Sequence, residues 1–172
     1  MIIRKGVPFL EKRSVQRLAL GGIMTALVFV MTYFPKIPVP ATGGYVHLGD
    51  GVIFLSAAVL GGLAIPVAAI GSMLSDLVGG YVIYALPTLL IKGLMALIAW
   101  KMLRHRKPLS AVGVYALAEC VMAAGYFLTE SILMNVAAAW GALLPNLMQG
   151  AAGVLFGLML LSLAPRLEKV LR

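Results

Sequence analysis

The sequence predicts an all-α integral membrane protein, a compact bundle of six transmembrane helices with the N- and C-termini in the cytoplasm. Of its 172 residues, 62% are hydrophobic and 12% are charged, and the mean hydropathy is +1.01. A soluble domain is about half apolar and about a quarter charged, so most of this chain must face lipid. A chain in lipid has to satisfy its own backbone hydrogen bonds, which favours helices. We expect a single membrane domain over residues 1–172.

Six apolar stretches approach the roughly 20 residues that a helix needs to cross the hydrocarbon layer. The first stops before the proline-rich segment PKIPVP, and the second and third are separated only by GGLAIP. Pro87 opens the fourth. The expected spans are residues 17–34, 48–63, 66–82, 87–103, 109–133 and 144–164.

Lysine and arginine residues gather between the apolar stretches. They lie in the N-terminal segment, in the loop between spans four and five, and in the C-terminal tail, which together hold 12 of the 14 basic residues. In a six-span chain these three segments fall on one side, and such a bias is typical of the cytoplasmic side. The net charge of +8 therefore reflects membrane topology, and nucleic acid is not an expected partner. The loop GGYVHLGD faces the outside in this topology.

Ionisable side chains within apolar spans either form structural pairs or line a water-accessible cavity. Asp76 and Lys92 each lie about six residues from the outer end of consecutive spans, so both are roughly 9 Å deep. Equal depth predicts a structural ion pair between Asp76 and Lys92. An ammonium has three donors, so Lys92 is also a candidate substrate contact. Glu119, near the middle of span five, is given no ligand role.

Other polar side chains gather at the predicted outer end of the spans. Helical spacing places Tyr126 and Glu130 on one face of span five, and Asn146 shares a face of span six with small residues. Such faces, turned inward, would form a pocket that is open to the outside. The candidate substrate-binding residues are Tyr45, His47, Asp50, Tyr84, Lys92, Tyr126, Glu130 and Asn146.

Sequence motifs for catalysis are missing. The chain has no G-x-x-x-x-G-K-[ST] loop for ATP, and its two histidines, His47 and His105, fall on opposite sides. No catalytic residue, metal or cofactor is therefore expected. Two alternatives remain open: a small membrane enzyme that uses Asp50, Asp76 and Glu130, and an assembly subunit without a ligand. The enzyme is disfavoured because its three carboxylates would lie on three different helices.

A stripe of small residues runs along span one, formed by Ala19, Gly22 and Ala26. Small residues at this spacing let a second helix approach closely in lipid. The stripe therefore either packs within the bundle or docks a partner helix.

Two long stretches, GGYVHLGDGVIFLSAAVLGG and GSMLSDLVGGYVIYALPTLLIKGLMALIA, resemble the S component of energy-coupling factor (ECF) transporters. These S components are membrane subunits that capture vitamins. The resemblance covers roughly residues 18–161. Gly22-x-x-x-Ala26 stands where the family has an Ala-x-x-x-Ala motif that contacts the T component. The resemblance thus implies that Ala19, Gly22 and Ala26 form the partner contact.

The resemblance also implies partners, location and ligand. It implies a transmembrane T component and two ATP-binding subunits as partners, a multi-pass location in the bacterial cell membrane, and no enzymatic activity in this chain itself. The ligand would be a small vitamin, bound in an outer pocket beneath the loop between spans one and two. The polar groups of the pocket favour a pyridoxine-like or hydroxymethylpyrimidine-like compound, with riboflavin, pantothenate or another vitamin as the alternative.

Overall fold

A computed structural model describes residues 12–35, 37–39, 44–103 and 108–171 of the chain. Within these residues the fold is a helical bundle with one small β-hairpin. Strands β1 (Ile37–Val39) and β2 (Gly44–Val46) pair antiparallel between the first two helices. The helices are α1 (Lys12–Tyr33), α2 (Gly49–Leu60), α3 (Ala64–Gly79), α4 (Ala85–Met102), α5 (Pro108–Leu133), α6 (Val136–Leu161) and α7 (Ala164–Val170).

The first three helices alternate in direction. Arg17, near the start of α1, donates from Nη2 to the carbonyl oxygen of Leu60, at the end of α2, at 2.9 Å. Helix α2 therefore runs back along α1. A short 3₁₀ turn then reverses the chain into α3. Gly79, at the end of α3, lies against the ring of Tyr33, at the end of α1, so α1 and α3 run in the same direction.

The alternation continues through the second half of the bundle. Tyr84, just before α4, hydrogen-bonds Glu130, near the end of α5. Tyr115, near the start of α5, lies against Gly157, near the end of α6. After six helices of alternating direction, the start of α1 and the short helix α7 lie at the same end of the bundle. The assignment of that end to the cytoplasm stays a prediction.

Helix α2 differs from the expected second span at residues 48–63. It has 12 residues, all of them buried, and at 1.5 Å per residue it is about 18 Å long. A bilayer's hydrocarbon core is about 30 Å thick, so α2 does not cross it alone. By length and hydropathy, α2 and α3 together therefore form one candidate membrane span, Gly49–Gly79. The membrane-spanning candidates of the described chain are Arg13–Tyr33, Gly49–Gly79, Val82–Met102, Leu109–Leu133 and Val136–Leu161.

The helical membrane bundle expected from the sequence is thus confirmed, with corrections at individual elements. Helix α6 begins at Val136 rather than near residue 144. The reason is an N-cap: the side chain of Asn135 accepts a hydrogen bond from the Ala138 amide at 2.9 Å. Pro145, close to the expected start, lies inside the helix.

Close helix contacts hold α2 in the centre of the bundle. The rings of Phe54 on α2 and Tyr115 on α5 stack with their centroids 4.1 Å apart. Helices α1 and α3 approach each other at Gly71, where a Cβ atom would lie 2.7 Å from the carbonyl oxygen of Thr25. Because α2 is enclosed by its neighbours, the polar residue in its first turn, Asp50, is directed into the interior of the protein.

The small-residue stripe of α1 faces away from the bundle. Ala19, Gly22 and Ala26 are exposed, and no atom of the described chain lies within 4 Å of a Cβ built on Gly22. The face that packs against the other helices carries Met24 and Val28, which are buried. Packing of the stripe within the bundle, one of the two interpretations of the sequence, is therefore wrong for this helix.

Candidate functional site

A cavity of about 430 Å³ lies at the end of the bundle where α1 ends and α2 begins. Side chains from α1 and from α3 to α6 line it, together with His47 just before α2. The position follows from the alternating helices, because polar residues at the end of α1, α3 and α5 meet those at the start of α4 and α6. The polar side chains that the sequence places at one end of the spans thus line this cavity.

The floor of the cavity is a buried network around one carboxylate. Lys92 Nζ donates to Asp50 Oδ1 at 2.6 Å, and Gln149 Nε2 donates to Asp50 Oδ2 at 2.8 Å. The side chains of Asp50 and Lys92 are 0% and 1% exposed. Two opposite charges and an amide from three helices therefore meet at one buried carboxylate.

This network corrects the expected ion pair between Asp76 and Lys92. Lys92 forms its ion pair with Asp50 on α2, and Asp76 lies instead in the lining of the cavity. Asp76 and Lys92 have the same predicted depth on consecutive helices, but the depth of a side chain does not specify which helix it faces. Helix α2 passes through the centre of the bundle, so its first turn reaches the α4 lysine directly.

The wall between α4 and α5 is built from two polar contacts. Tyr84 Oη donates to Glu130 Oε1 at 3.0 Å, and the hydroxyl groups of Thr88 and Tyr126 lie 2.9 Å apart. The Tyr126 ring also faces the ammonium of Lys92, whose Nζ is 5.7 Å from the ring centroid. Both tyrosine rings are thus fixed by hydrogen bonds at their hydroxyl ends.

His47 lies at the join of the β-hairpin and α2. It is buried and lines the cavity, and its Nδ1 accepts a hydrogen bond from the Gly49 amide at 3.3 Å. The backbone of Tyr45 lies in β2, paired with Pro38, but its side chain falls outside the described part of the chain. Residues 44–50 therefore form one strand of a hairpin and the entry to α2, rather than an irregular loop.

Glu119 lies next to the floor network, on α5. It is 5% exposed, and neither of its carboxylate oxygens has a hydrogen-bond partner among the described residues. A Cβ atom at Gly153 on α6 would collide with Glu119 Oε1 and lie 3.0 Å from Asp50 Cβ. Glycine at this position therefore allows two acidic side chains to sit against α6. Within residues 12–35, 37–39, 44–103 and 108–171, no group of three or more His, Cys, Asp or Glu residues is arranged to hold a metal ion.

Most of the candidate binding residues meet at this cavity. The candidates that are among its lining residues are His47, Tyr84, Lys92, Tyr126, Glu130 and Asn146. Asp50 lies behind the lining and touches it through Lys92 and Gln149. The hydroxyl groups of Thr32 and Ser72 also line the cavity and were not among the candidates. Ser72 stands one helical turn before Asp76, which is a signal that the sequence did contain.

The side chains of this lining are chemically suited to contact an uncharged polar ring compound. Tyrosine rings offer flat apolar surfaces, and carboxylates such as Asp76 and Glu130 accept hydrogen bonds from hydroxyl groups. The ammonium of Lys92 donates from the floor. These groups can hold and orient a molecule that carries both aromatic and hydroxylated parts.

Comparisons with known proteins give a family and a relative for this chain. The family model described as "ECF-type riboflavin transporter, S component" matches residues 12–166. A protein of Pyrococcus woesei, described as the "Uncharacterized protein in gap 3'region", is 31% identical over 132 residues. That alignment covers 76% of this chain and 88% of the relative.

Proposed function

The chain belongs to the family of S components of ECF-type riboflavin transporters, and from this premise we propose that it captures a water-soluble vitamin in the cavity described above. An S component is a subunit of a transporter, so the chain is a multi-pass membrane transport subunit and not an enzyme in itself. The observation that carries the proposal is the cavity at one end of the bundle, lined by tyrosines, carboxylates and Lys92. Vitamin enters there from outside the cell.

The substrate that we favour is riboflavin. The family's description names it, and a cavity of about 430 Å³ lies in the range of roughly 300–1,000 Å³ typical of sites for drug-sized ligands. A fused three-ring vitamin with a sugar-alcohol chain uses such a volume more fully than a single-ring compound. Riboflavin, which the sequence left as the alternative, is therefore our first candidate. The pyridoxine-like or hydroxymethylpyrimidine-like compound that the sequence favoured becomes the second.

The two parts of riboflavin match two regions of the lining. The flat ring system packs against the Tyr126 ring, which is held by its hydrogen bond to Thr88 and lies over the floor. The hydroxyl groups of the sugar-alcohol chain donate to Asp76 and Glu130 nearer the mouth. Hydrogen bonds to charged groups contribute about 1.5–3 kcal/mol each, more than those between neutral groups.

Transport requires partners that supply energy. We assign this role to a transmembrane T component and two ATP-binding subunits, in agreement with the family of the chain. The exposed stripe of Ala19, Gly22 and Ala26 is the surface proposed to contact the T component, because it is the small-residue face that the bundle leaves open. The location in the bacterial cell membrane stays a prediction.

Titration calorimetry on the purified full-length chain in detergent tests the substrate. Riboflavin, pyridoxine and hydroxymethylpyrimidine are titrated in parallel, and we expect riboflavin to bind and the two single-ring compounds to bind far more weakly. Tight binding of a single-ring compound without binding of riboflavin would reverse the assignment. Binding of no vitamin by the folded protein would favour an assembly subunit.

A further inference from the structure

The turn between α2 and α3, Gly61–Leu63, carries a cation on each side. On the α1 side, Arg17 Nη2 donates to the carbonyl oxygen of Leu60 at 2.9 Å. On the α4 side, Lys101 Nζ lies 4.7 Å from the centroid of the Trp100 ring, and such a ring attracts a cation over its face. A hydrogen bond thus holds the guanidinium beside the turn, and an aromatic ring holds the ammonium.

Two glycines let the Trp100 ring lie directly on this turn. A Cβ atom at Gly62 would lie 3.1 Å from Trp100 Cη2, and one at Gly61 would lie 3.3 Å from Trp100 Nε1. Gly61 has a φ of 62°, a conformation that glycine adopts without steric cost. The backbone of the turn therefore sets the position of the indole ring, and the ring sets that of the Lys101 ammonium.

The end of the bundle that contains this turn is strongly basic. Exposed lysine and arginine side chains at this end are Arg13, Arg17, Lys101, Arg166 and Lys169. Within the described part of the chain, Glu168 on α7 is the only acidic side chain there. This end is the one predicted to lie in the cytoplasm, and the cytoplasmic leaflet of a membrane carries anionic lipids. Its charge is therefore complementary to that of lipid headgroups.

An apolar track on α4 leads away from Lys101 towards the middle of the bundle. Leu90, Leu94 and Lys101 follow one another at a spacing of 4 and 7, which places them on one face of the helix. All three are exposed. A tryptophan at the end of such a face is typical of the level where acyl chains meet headgroups. The surface thus fits a molecule with a charged head and an apolar tail.

Arg17 belongs to a different face of α1 from the small-residue stripe. Its spacing of 7 and 11 from Met24 and Val28 places it on the same side of the helix as these buried residues. The stripe of Ala19, Gly22 and Ala26 lies on the opposite side. The basic turn and the surface proposed for the T component are therefore separate.

We propose that the α2–α3 turn binds the phosphate group of an anionic phospholipid. Lys101 donates to the phosphate oxygens, and Arg17 adds its charge from the other side of the turn. An acyl chain lies along Leu90 and Leu94. Helix α3 begins at the same turn, and the N-terminus of a helix favours an anion. The site lies at the opposite end of the bundle from the cavity, so it does not depend on which vitamin the cavity takes.

Fluorescence of Trp100 tests the proposal, because bromine atoms on an acyl chain quench a tryptophan that they touch. The chain has two tryptophans, and Trp140→Phe leaves Trp100 as the only reporter. The full-length protein is placed in vesicles that contain brominated phosphatidylglycerol or brominated phosphatidylcholine. We expect phosphatidylglycerol to bind beside Trp100 at least about fivefold more tightly, which is about the contribution of one cation near an anionic lipid.

Three variants, all in the Trp140→Phe protein, show whether this preference is local. Lys101→Gln should reduce it at least about threefold, and Arg17→Gln/Lys101→Gln should leave about equal affinity for the two lipids. Lys169→Gln is the matched control, because it removes the same charge from an exposed position on α7, and it should keep the preference. If the double variant does not fold, Lys101→Gln against Lys169→Gln decides the proposal.

Three results would overturn the proposal. Equal loss of preference in Lys101→Gln and Lys169→Gln would show attraction to the net charge of this end and no site at the turn. Loss of the preference when inorganic phosphate is added in excess would identify a site for free phosphate. Equal quenching of the unchanged Trp100 by both lipids would exclude the anionic lipid and leave the basic turn as a surface for a protein partner.

Discussion

At the scale of single residues, the ion pair between Lys92 and Asp50 determines how the polar groups of the site are arranged. The Lys92 side chain is 1% exposed, and its ammonium is paired with Asp50 rather than with the carboxylate at the same predicted depth, Asp76. A buried charge is tolerated only where a partner and further hydrogen bonds compensate for the lost water. Asp50 is a candidate substrate contact by sequence, and its complete burial means that its removal should affect stability as well as binding.

Removal of Asp50 should destabilise the fold as well as the binding site. Asp50→Ala leaves the Lys92 ammonium buried without its ion pair, and breaking a buried pair costs about 3–5 kcal/mol in the free energy of unfolding. Thermal melts in detergent should show a clear fall in Tm. The double variant Asp50→Ala/Lys92→Met should recover part of the loss, since it removes both charges. A double variant that is less stable than Asp50→Ala would contradict this coupling.

The carboxyl group of Glu119 should contribute little to stability. Neither of its oxygens has a hydrogen-bond partner in the described chain, and a buried polar group without a partner opposes folding by about 1–3 kcal/mol. Glu119→Met, which keeps the length of the side chain, should therefore melt at the same temperature as the unchanged protein or higher. A fall in Tm comparable to that of Asp50→Ala would show that Glu119 has a stabilising partner.

At the scale of elements, α1 presents two faces with different tasks. The inner face, with Met24 and Val28, is buried against the bundle, while the stripe of Ala19, Gly22 and Ala26 is open. An apolar helix face in lipid gains little from the hydrophobic effect, so small residues that allow close backbone contact mark a helix-docking surface. The structure thus separates the residues that fold this chain from those proposed to dock its partner.

Gly22→Leu should disable transport without affecting the isolated subunit. The site has open space around it, so folding, Tm and vitamin affinity should be unchanged. A leucine there would keep the T component's helix at a distance, and ATP-dependent vitamin uptake in membrane vesicles containing all four subunits should fall at least about tenfold, the value of about 1.4 kcal/mol.

A matched control is available on α5. Gly113 is also exposed, and a Cβ atom built on it would have no described atom within 4 Å, so Gly113→Leu adds the same side chain to a different surface. Uptake should persist in this variant. Equal loss of uptake in both variants would mean that any added bulk impairs assembly, and that the α1 stripe has no special role.

At the scale of the whole molecule, alternating helices bring all the polar side chains of the site to one end. Six helices of alternating direction also place the start of α1 and helix α7 together at the opposite end. The distribution of lysine and arginine in the sequence predicts that the opposite end lies in the cytoplasm. In that orientation the cavity would open to the outside, which an uptake protein needs.

Labelling of single cysteines tests this orientation. Cys120 is first replaced by Ala, and a cysteine is then introduced at Ile83, at the cavity end, or at Ser162, at the α7 end, since both residues are exposed. In intact cells, a membrane-impermeant maleimide should label Ile83→Cys only. Labelling of Ser162→Cys under the same conditions would invert the topology, and labelling of both would contradict the alternating bundle.

The sequence contained enough to define the class of the protein, the number of its main helices and six of the residues that line the cavity. Hydropathy and charge are local properties that accumulate over a span, so they identify helices and predict sidedness from the chain alone. Helical spacing likewise placed Tyr126 and Glu130 on one face. It did not identify the β-hairpin, because the pairing of its two short strands depends on what encloses this segment in the folded protein.

The sequence by itself determined that this protein lies in lipid, that it forms a helical bundle, and that its polar residues gather at one end. Only the tertiary structure decided that Lys92 pairs with Asp50, 42 residues earlier in the chain, and that Gln149 joins the same carboxylate from 99 residues away. Depth and periodicity fix the position of a side chain along its helix and the face it occupies. They leave open which helix lies opposite that face, and this is settled by the packing of the whole bundle around α2.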